Sequence, residues 1–223
     1  MTRQAFDREL RRLQDEVLVL GSMAEKAILD SVAALKRRDV DASRRLIAED
    51  RAINEKRFAI EADCISLIAT QQPMAKDLRV LAAVLEIVAE LERIADYGKG
   101  IAKVALLIGS EPLVKPLVDI PLMAEKVHGM LHRALDAFVR QDVALARAIP
   151  QEDDEVDGLY NQVYRELLTY IITDPRVTEQ ANHLLWVAHN LERAADRVGN
   201  ICERTVYTVT GEMLEMDSDD TGF

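Results

Sequence analysis

Apolar residues recur every three to four positions along nearly the whole chain, the period of amphipathic helices and not of strands. Read with the turn residues that interrupt it, this pattern predicts six long helices. The first runs from about Phe6 to Lys36. "RRDVDAS" then offers Asp39 or Asp41 as the N-cap of a second helix reaching about Ala69. "TQQP" ends that helix, and Pro73, lacking an N–H, suits the first turn of a third helix reaching about Leu107. "IGSEPLVKPLVDIP", with its three prolines, reads as a linker. A fourth helix extends to about Val139, Asp142 caps a fifth, and Asp174 with Pro175 starts a sixth. After Gly211, "EMLEMDSDDTGF" reads as a frayed acidic tail.

The two halves of this pattern repeat. "RRDVDASRRLIAED" (Arg37 to Asp50) aligns with "RQDVALARAIPQED" (Arg140 to Asp153) at an offset of 103. "LERIADYGKGI" (Leu91 to Ile101) aligns with "LERAADRVGNI" (Leu191 to Ile201) at an offset of 100, so the second copy is three residues shorter. The expectation is an all-α fold of two repeated antiparallel three-helix bundles, in residues 1–109 and 110–211, followed by an acidic tail in 212–223. Pro150, opposite Ile47, should bend the fifth helix or delay its start.

The repeated string carries the candidate chemistry. Residues four apart share a helix face, so Glu92 pairs with Asp96 and Glu192 with Asp196. Leu78 and Leu85 lead by sevens to Glu92, and Ala82 and Ala89 lead likewise to Asp96. The acids thus continue an apolar stripe, while Glu86, Glu90 and Arg93 should face solvent on the other side. The preceding helix of each half carries a second pair, Asp50 with Asn54 and Asp153 with Asp157. In each half both pairs lie about twenty residues from the hairpin turn. At ~1.5 Å per residue they should meet ~30 Å up the hairpin. The second half then gathers four carboxylates at one level, and the first half three and an amide.

Like charges four apart cost about 0.2–0.5 kcal/mol even when exposed, and burial raises that penalty. Cations, arginines or retained protons must compensate. Oxygen-rich clusters suit Mg, Mn, Ca or iron, and no set of cysteines competes for a softer ion. The bland alternative is local neutralisation, Arg93 serving Asp96 and Arg193 serving Asp196 as i,i+3 ion pairs. His128, which aligns with Glu25, and His189, three residues before Glu192, could join a cluster or be ordinary packing residues. The single Trp186 reads as core.

Composition narrows the partners. A net charge of −11 repels nucleic acid and anionic lipid, leaving cations and basic protein surfaces as favoured contacts. Cys64 and Cys202 sit in separate helical patterns and read as core fillers in a reducing compartment. The charged N-terminus has no signal-peptide stretch, and no apolar run approaches the ~18 residues of a membrane span. The expectation is a soluble, cytoplasmic protein. No glycine-rich phosphate loop or nucleophile–base pair is present, and the lone E-x-x-H, Glu125 to His128, argues against a di-iron oxidase.

Together "QPMAKDLR" (Gln72 to Arg79), "ELERIAD" (Glu90 to Asp96), "EDDEVD" (Glu152 to Asp157) and "NLERAADRVGNICE" (Asn190 to Glu203) resemble the PhoU family of phosphate-transport regulators. That resemblance implies two three-helix bundles in a flat body and multinuclear metal clusters, iron or zinc for example, on E(D)-x-x-x-D motifs. Carried over, it points to Glu92, Asp96, Glu192, Asp196, Asp50, Asp153 and Asp157, with departures at Asn54 and at Gly100, where the second copy keeps Asn200. It further implies a cytoplasmic negative regulator linking the phosphate ABC transporter ATPase to a phosphate-sensing histidine kinase. Under that reading the membrane is reached only through partners, and a homodimer remains open. A metal-storage or oxidase-like metalloprotein is the alternative.

Overall fold

The computed structural model describes residues 3–216. Helix α1 spans Arg3–Arg37 and buries Leu13, Val17, Leu20, Ala24, Ile28, Val32 and Leu35 at three- and four-residue spacing. It ends where Arg38 turns to φ 58, with Asp39 N–H donating back to the Ala34 carbonyl at 2.9 Å. The Asp39 side chain then accepts from Ala42 N–H at 2.8 Å and opens α2, Val40–Gln71. The second half repeats this turn: Gln141 takes φ 57, Asp142 N–H reaches the Ala137 carbonyl at 2.9 Å, and its carboxylate accepts from Leu145 N–H at 3.0 Å. Helix α3, Ala75–Ile108, starts after Met74, so Pro73 lies in the connection and not in the first helical turn. The ring still serves as a stop signal, because it cannot prolong α2.

Helix α4 spans Asp119–Arg140. The predicted fifth helix is broken at Pro150 into α5, Val143–Ala148, a 3₁₀ turn at Ile149–Glu152, and α6, Asp153–Thr173. The missing N–H of Pro150 explains the break; Ile47 at the aligned position leaves α2 continuous. Asp174 accepts from Arg176 N–H at 3.1 Å and begins a 3₁₀ turn, Pro175–Val177, that leads into α7, Thr178–Thr210. Among the described residues there is no strand, and residues 211–216 are not helical. The tail expected over 212–223 falls largely outside the described residues.

Ion pairs fix the directions of the helices. Arg12 meets Asp63 and Lys26 meets Glu49, so α1 and α2 run antiparallel; Arg3 meets Asp77 at the same end of α1 and α3. The two halves join through α1 against α4 and α3 against α7. One continuous apolar core crosses both, from Leu13 and Ile87 in the first half to Met130 and Val187 in the second. Each buried Leu or Ile contributes about 1.5–3 kcal/mol, and a shared core ties the bundles into one body.

That junction corrects two expectations. Glu90 does not face solvent: it accepts from Arg93 at 2.8 Å, Arg197 at 3.5 Å and Asn200 at 3.3 Å, which makes it the polar centre of the α3–α7 contact. Trp186 is not core but 46% exposed, its indole lying across α3 at Gly100. A Cβ on Gly100 would stand 2.6 Å from the indole, so the departure from Asn200 has a packing cause. Cys64 and Cys202 are buried and unpaired as expected, and burial pushes their thiols up to about 11 and about 12. Neither is a reactive thiolate.

Candidate metal centre

Asp153 and Asp157 stand one turn apart on α6, and Glu192 and Asp196 one turn apart on α7. The four lie along the groove between α6 and α7 with their charges coupled: Asp196 is near enough to act on Asp153, Asp157 and Glu192, and Glu192 to act on Asp153. Burial, then Asp196, Asp157 and Glu192, raise Asp153 to about 7. Burial followed by Asp196 raises both Asp157 and Glu192. Burial also raises Asp196, against the opposing pull of Arg197 and Arg193. Asp196 is the most open of the four to solvent.

Local arginines pull on Asp196 through space but form no ion pair with it. Arg193 lies over the Tyr97 ring at 5.4 Å, and Arg197 is turned toward Glu90. Among the described residues, no lysine or arginine forms an ion pair with Asp153, Asp157, Glu192 or Asp196. His189 Nδ1 comes within 3.1 Å of Glu192 Oε2 and opposes part of the rise in that acid's pKa. Asp153 Oδ1 is a buried carboxylate oxygen without a hydrogen-bond partner, and Glu192 Oε2 has only His189 beside it. A partnerless oxygen of this kind costs about 1–3 kcal/mol unless something positive reaches it. As the side chains stand, no three His, Cys, Asp or Glu among the described residues converge tightly enough to chelate an ion.

The first half places Asp50, Asn54, Glu92 and Asp96 at the corresponding level, with different chemistry. Lys99 Nζ lies 2.6 Å from Asp50 Oδ2 and 3.2 Å from Asp96 Oδ1. Arg57 donates to Glu92 Oε2 at 3.1 Å, and Asn54 Nδ2 to Asp50 Oδ2 at 3.1 Å. Burial and Asp96 raise Glu92, while Arg57 pulls it back. Asp50 Oδ1 keeps no partner. Arg93 pairs with Glu90 and not with Asp96, so here too the i,i+3 pairing expected of the bland alternative is absent. The acidic stripe itself follows the edge of the core: Leu78 is 43% exposed, and the deep stripe runs through Leu81, Val84, Val88 and Leu91.

Sequence reasoning missed Lys99 and Arg57. Its own alignment held the signal, since the offset of 100 sets Lys99 against Gly199 and that of 103 sets Arg57 against Tyr160. His128 lies away from both clusters. Its Nε2 is 3.6 Å from Glu25, the residue it aligns with, and His132 Nδ1 is 3.4 Å from the same carboxylate. Equivalent positions thus meet where α1 crosses α4.

A duplicated all-α body with an acidic cluster in each half defines the class of protein with which comparisons can be made. A family model described as the PhoU domain matches residues 17–105 and 120–205. A phosphate-specific transport system accessory protein PhoU homolog of Clostridium acetobutylicum is 37% identical over 218 residues, covering 97% of this chain and 100% of its own. The PhoU accessory protein of Escherichia coli K12 is 36% identical over 207 residues, covering 93% of this chain and 86% of its own. The crystal structure of PhoU from Pseudomonas aeruginosa superposes with a TM-score of 0.87 at 33% identity, covering 93% of this chain and 100% of that one. The chain belongs to the PhoU family, whose members are regulatory accessory proteins of phosphate transport and not enzymes. Among the described residues no helix is long and apolar enough to cross a membrane.

Proposed function

We propose that this chain restrains phosphate uptake and phosphate-starvation signalling as a cytoplasmic helical adaptor between the ATPase of a phosphate ABC transporter and a phosphate-sensing histidine kinase. The observation that carries the reading is the duplicated body, aligned nearly end to end with accessory proteins named for phosphate-specific transport. The fold supports it physically. A continuous core makes the six long helices a stiff frame, and a net charge of −11 favours basic partner surfaces. Affinity capture of the tagged chain from phosphate-replete cells should recover both the ATPase and the kinase, with less of each under starvation. Recovery of neither in phosphate excess contradicts the adaptor role.

A metal in the second cluster is part of this proposal. Asp153, Asp157, Glu192 and Asp196 supply only hard oxygens, with His189 beside them, a donor set that takes iron or zinc as readily as Mn, Mg or Ca. A bound cation would let the four acids stay ionised together and would tie α6 to α7. The partnerless Asp153 Oδ1 supports this fit.

A pH dependence follows for the metal-free protein. Asp153 titrates at about 7 in the fold against an ordinary 3.8, so the folded chain holds an extra proton between those values. Stability is therefore retained at low pH and declines as pH rises through that window. Urea midpoints measured in chelator should fall from pH 5 to pH 8, and Asp153→Asn should flatten the slope. Metal affinity should run the other way, weakening below pH 7 as protons compete. A midpoint that rises from pH 5 to pH 8 in wild type, with no change in Asp153→Asn, contradicts the assignment.

A further inference from the structure

We propose that the first carboxylate cluster takes no metal: Lys99 is its resident cation, and metal acts on the second bundle alone. This rests on the reading of the second cluster as a metal site and asks why the first, with the same Glu-x-x-x-Asp string, should differ.

Three substitutions between the repeats explain it. Lys99 in the first copy is Gly199 in the second, Arg57 is Tyr160, and Asn54 is Asp157. Each change moves a positive charge or an N–H donor into the first groove, or removes a carboxylate from it. Lys99 Nζ bridges Asp50 at 2.6 Å and Asp96 at 3.2 Å, one acid from α2 and one from α3, which is the bridging place a metal would take between the helices. Its partners raise its pKa, the hydrogen bond to Asp50 foremost, so the ammonium stays charged. Arg57 occupies Glu92. Three carboxylates thus face two cations in ion-pair contact. None of the four in the second groove has such a contact with a lysine or arginine among the described residues, and Arg193 and Arg197 act on Asp196 only from farther away. At Gly199 an added Cβ would meet nothing within 4 Å, so packing at the backbone is not what keeps a side chain out of this position.

A metal entering the first groove would have to expel an ammonium already bound by two carboxylates and would gain one donor fewer. One half of the protein is then held by its own side chains, and the other responds to metal supply. An adaptor built this way can keep one partner face constant while the other is tuned.

Zinc titration of the full-length chain after chelation tests this. Glu192→Ala with Asp196→Ala should abolish zinc binding, while Asp50→Asn with Glu92→Gln should leave stoichiometry and affinity unchanged. Loss of about half the zinc in the latter variant overturns the proposal. In the Glu192→Ala/Asp196→Ala background, adding Asn54→Asp, Arg57→Tyr and Lys99→Gly should restore binding to the first groove. A triple addition that folds by circular dichroism yet takes no zinc overturns the claim that these residues exclude it. Hydrogen exchange gives a readout free of substitutions: zinc should protect amides of α6 and α7 and leave α2 and α3 unchanged, and equal protection in both bundles contradicts it.

A wild-type chain that takes no zinc anywhere sinks the metal reading itself, and unfolding then decides the role of Lys99. Lys99→Met should lower the melting temperature by about 4 °C by stranding Asp50 and Asp96, and Asp50→Asn should recover it in the double variant. Unchanged melting in Lys99→Met overturns the assignment.

Discussion

Glu192→Ala together with Asp196→Ala strips the second bundle of metal while the helical circular dichroism keeps its amplitude. Even an outer partner of a metal ligand is worth about 10–100-fold in affinity, so removing two of four ligands should exceed ~100-fold. The fold should survive because both side chains lie at the groove and neither fills the core: Glu192 is half-buried and Asp196 exposed. In chelator the variant should unfold no earlier than wild type at pH 8, because two of four mutually repelling charges are gone. Plasma emission spectrometry on protein purified without chelator measures the first effect, and urea unfolding the second. A variant that keeps its full metal places the site elsewhere.

Gly98→Val produces the largest loss of stability in this account. A Cβ at Gly98 would lie 2.7 Å from the carbonyl carbon and oxygen of Ala27 and 3.1 Å from the nitrogen of Ile28. Those are backbone atoms of α1, which cannot rotate aside, so the helices must separate along their most intimate contact. Overpacking of this kind costs about 3 kcal/mol, equivalent to a fall of about 6–12 °C in the melting temperature of a chain this size. The aligned residue in the second bundle is Val198, buried without conflict, so the close approach belongs to the first bundle alone. Gly199→Ala is the control: its Cβ meets nothing within 4 Å, and replacing a mid-helix glycine should stabilise by up to about 1 kcal/mol. Calorimetry of the two variants compares them directly, and a Gly98→Val protein melting with wild type would remove the packing argument.

The architecture was legible because its signals are local. Asp39, Asp142 and Asp174 all accept the backbone N–H groups that their positions before apolar runs imply. Pro150 breaks its helix through a missing donor, which any sequence shows. Helix rise and the hairpin turn likewise set which residues of α6 and α7 come within reach of each other's charge, as Asp153 and Asp196 do. What failed depended on the contact between the bundles. Periodicity alone set Glu90 on the solvent side, because nothing in one helix reveals that α7 brings Arg197 and Asn200 against it. Trp186 was assigned to the core by size, yet it caps a glycine on a neighbouring helix from the surface. The cations of the first cluster were half-legible. An Arg93–Asp96 pair was weighed by spacing, while Lys99, equally three residues from Asp96, reaches across to Asp50 as well. Comparing the repeats position by position, and not only at the acids, would have exposed Lys99 against Gly199 and Arg57 against Tyr160.

The central claim is that four acids from α6 and α7 hold metal in the groove that they line. Anomalous scattering from a crystal of the full-length chain grown with zinc tests this most directly. The expected result is a zinc peak among Asp153, Asp157, Glu192 and Asp196, with Lys99 Nζ and no metal between Asp50 and Asp96. Zinc held at the first groove, or a second groove whose acids stay dispersed in saturating zinc, contradicts it.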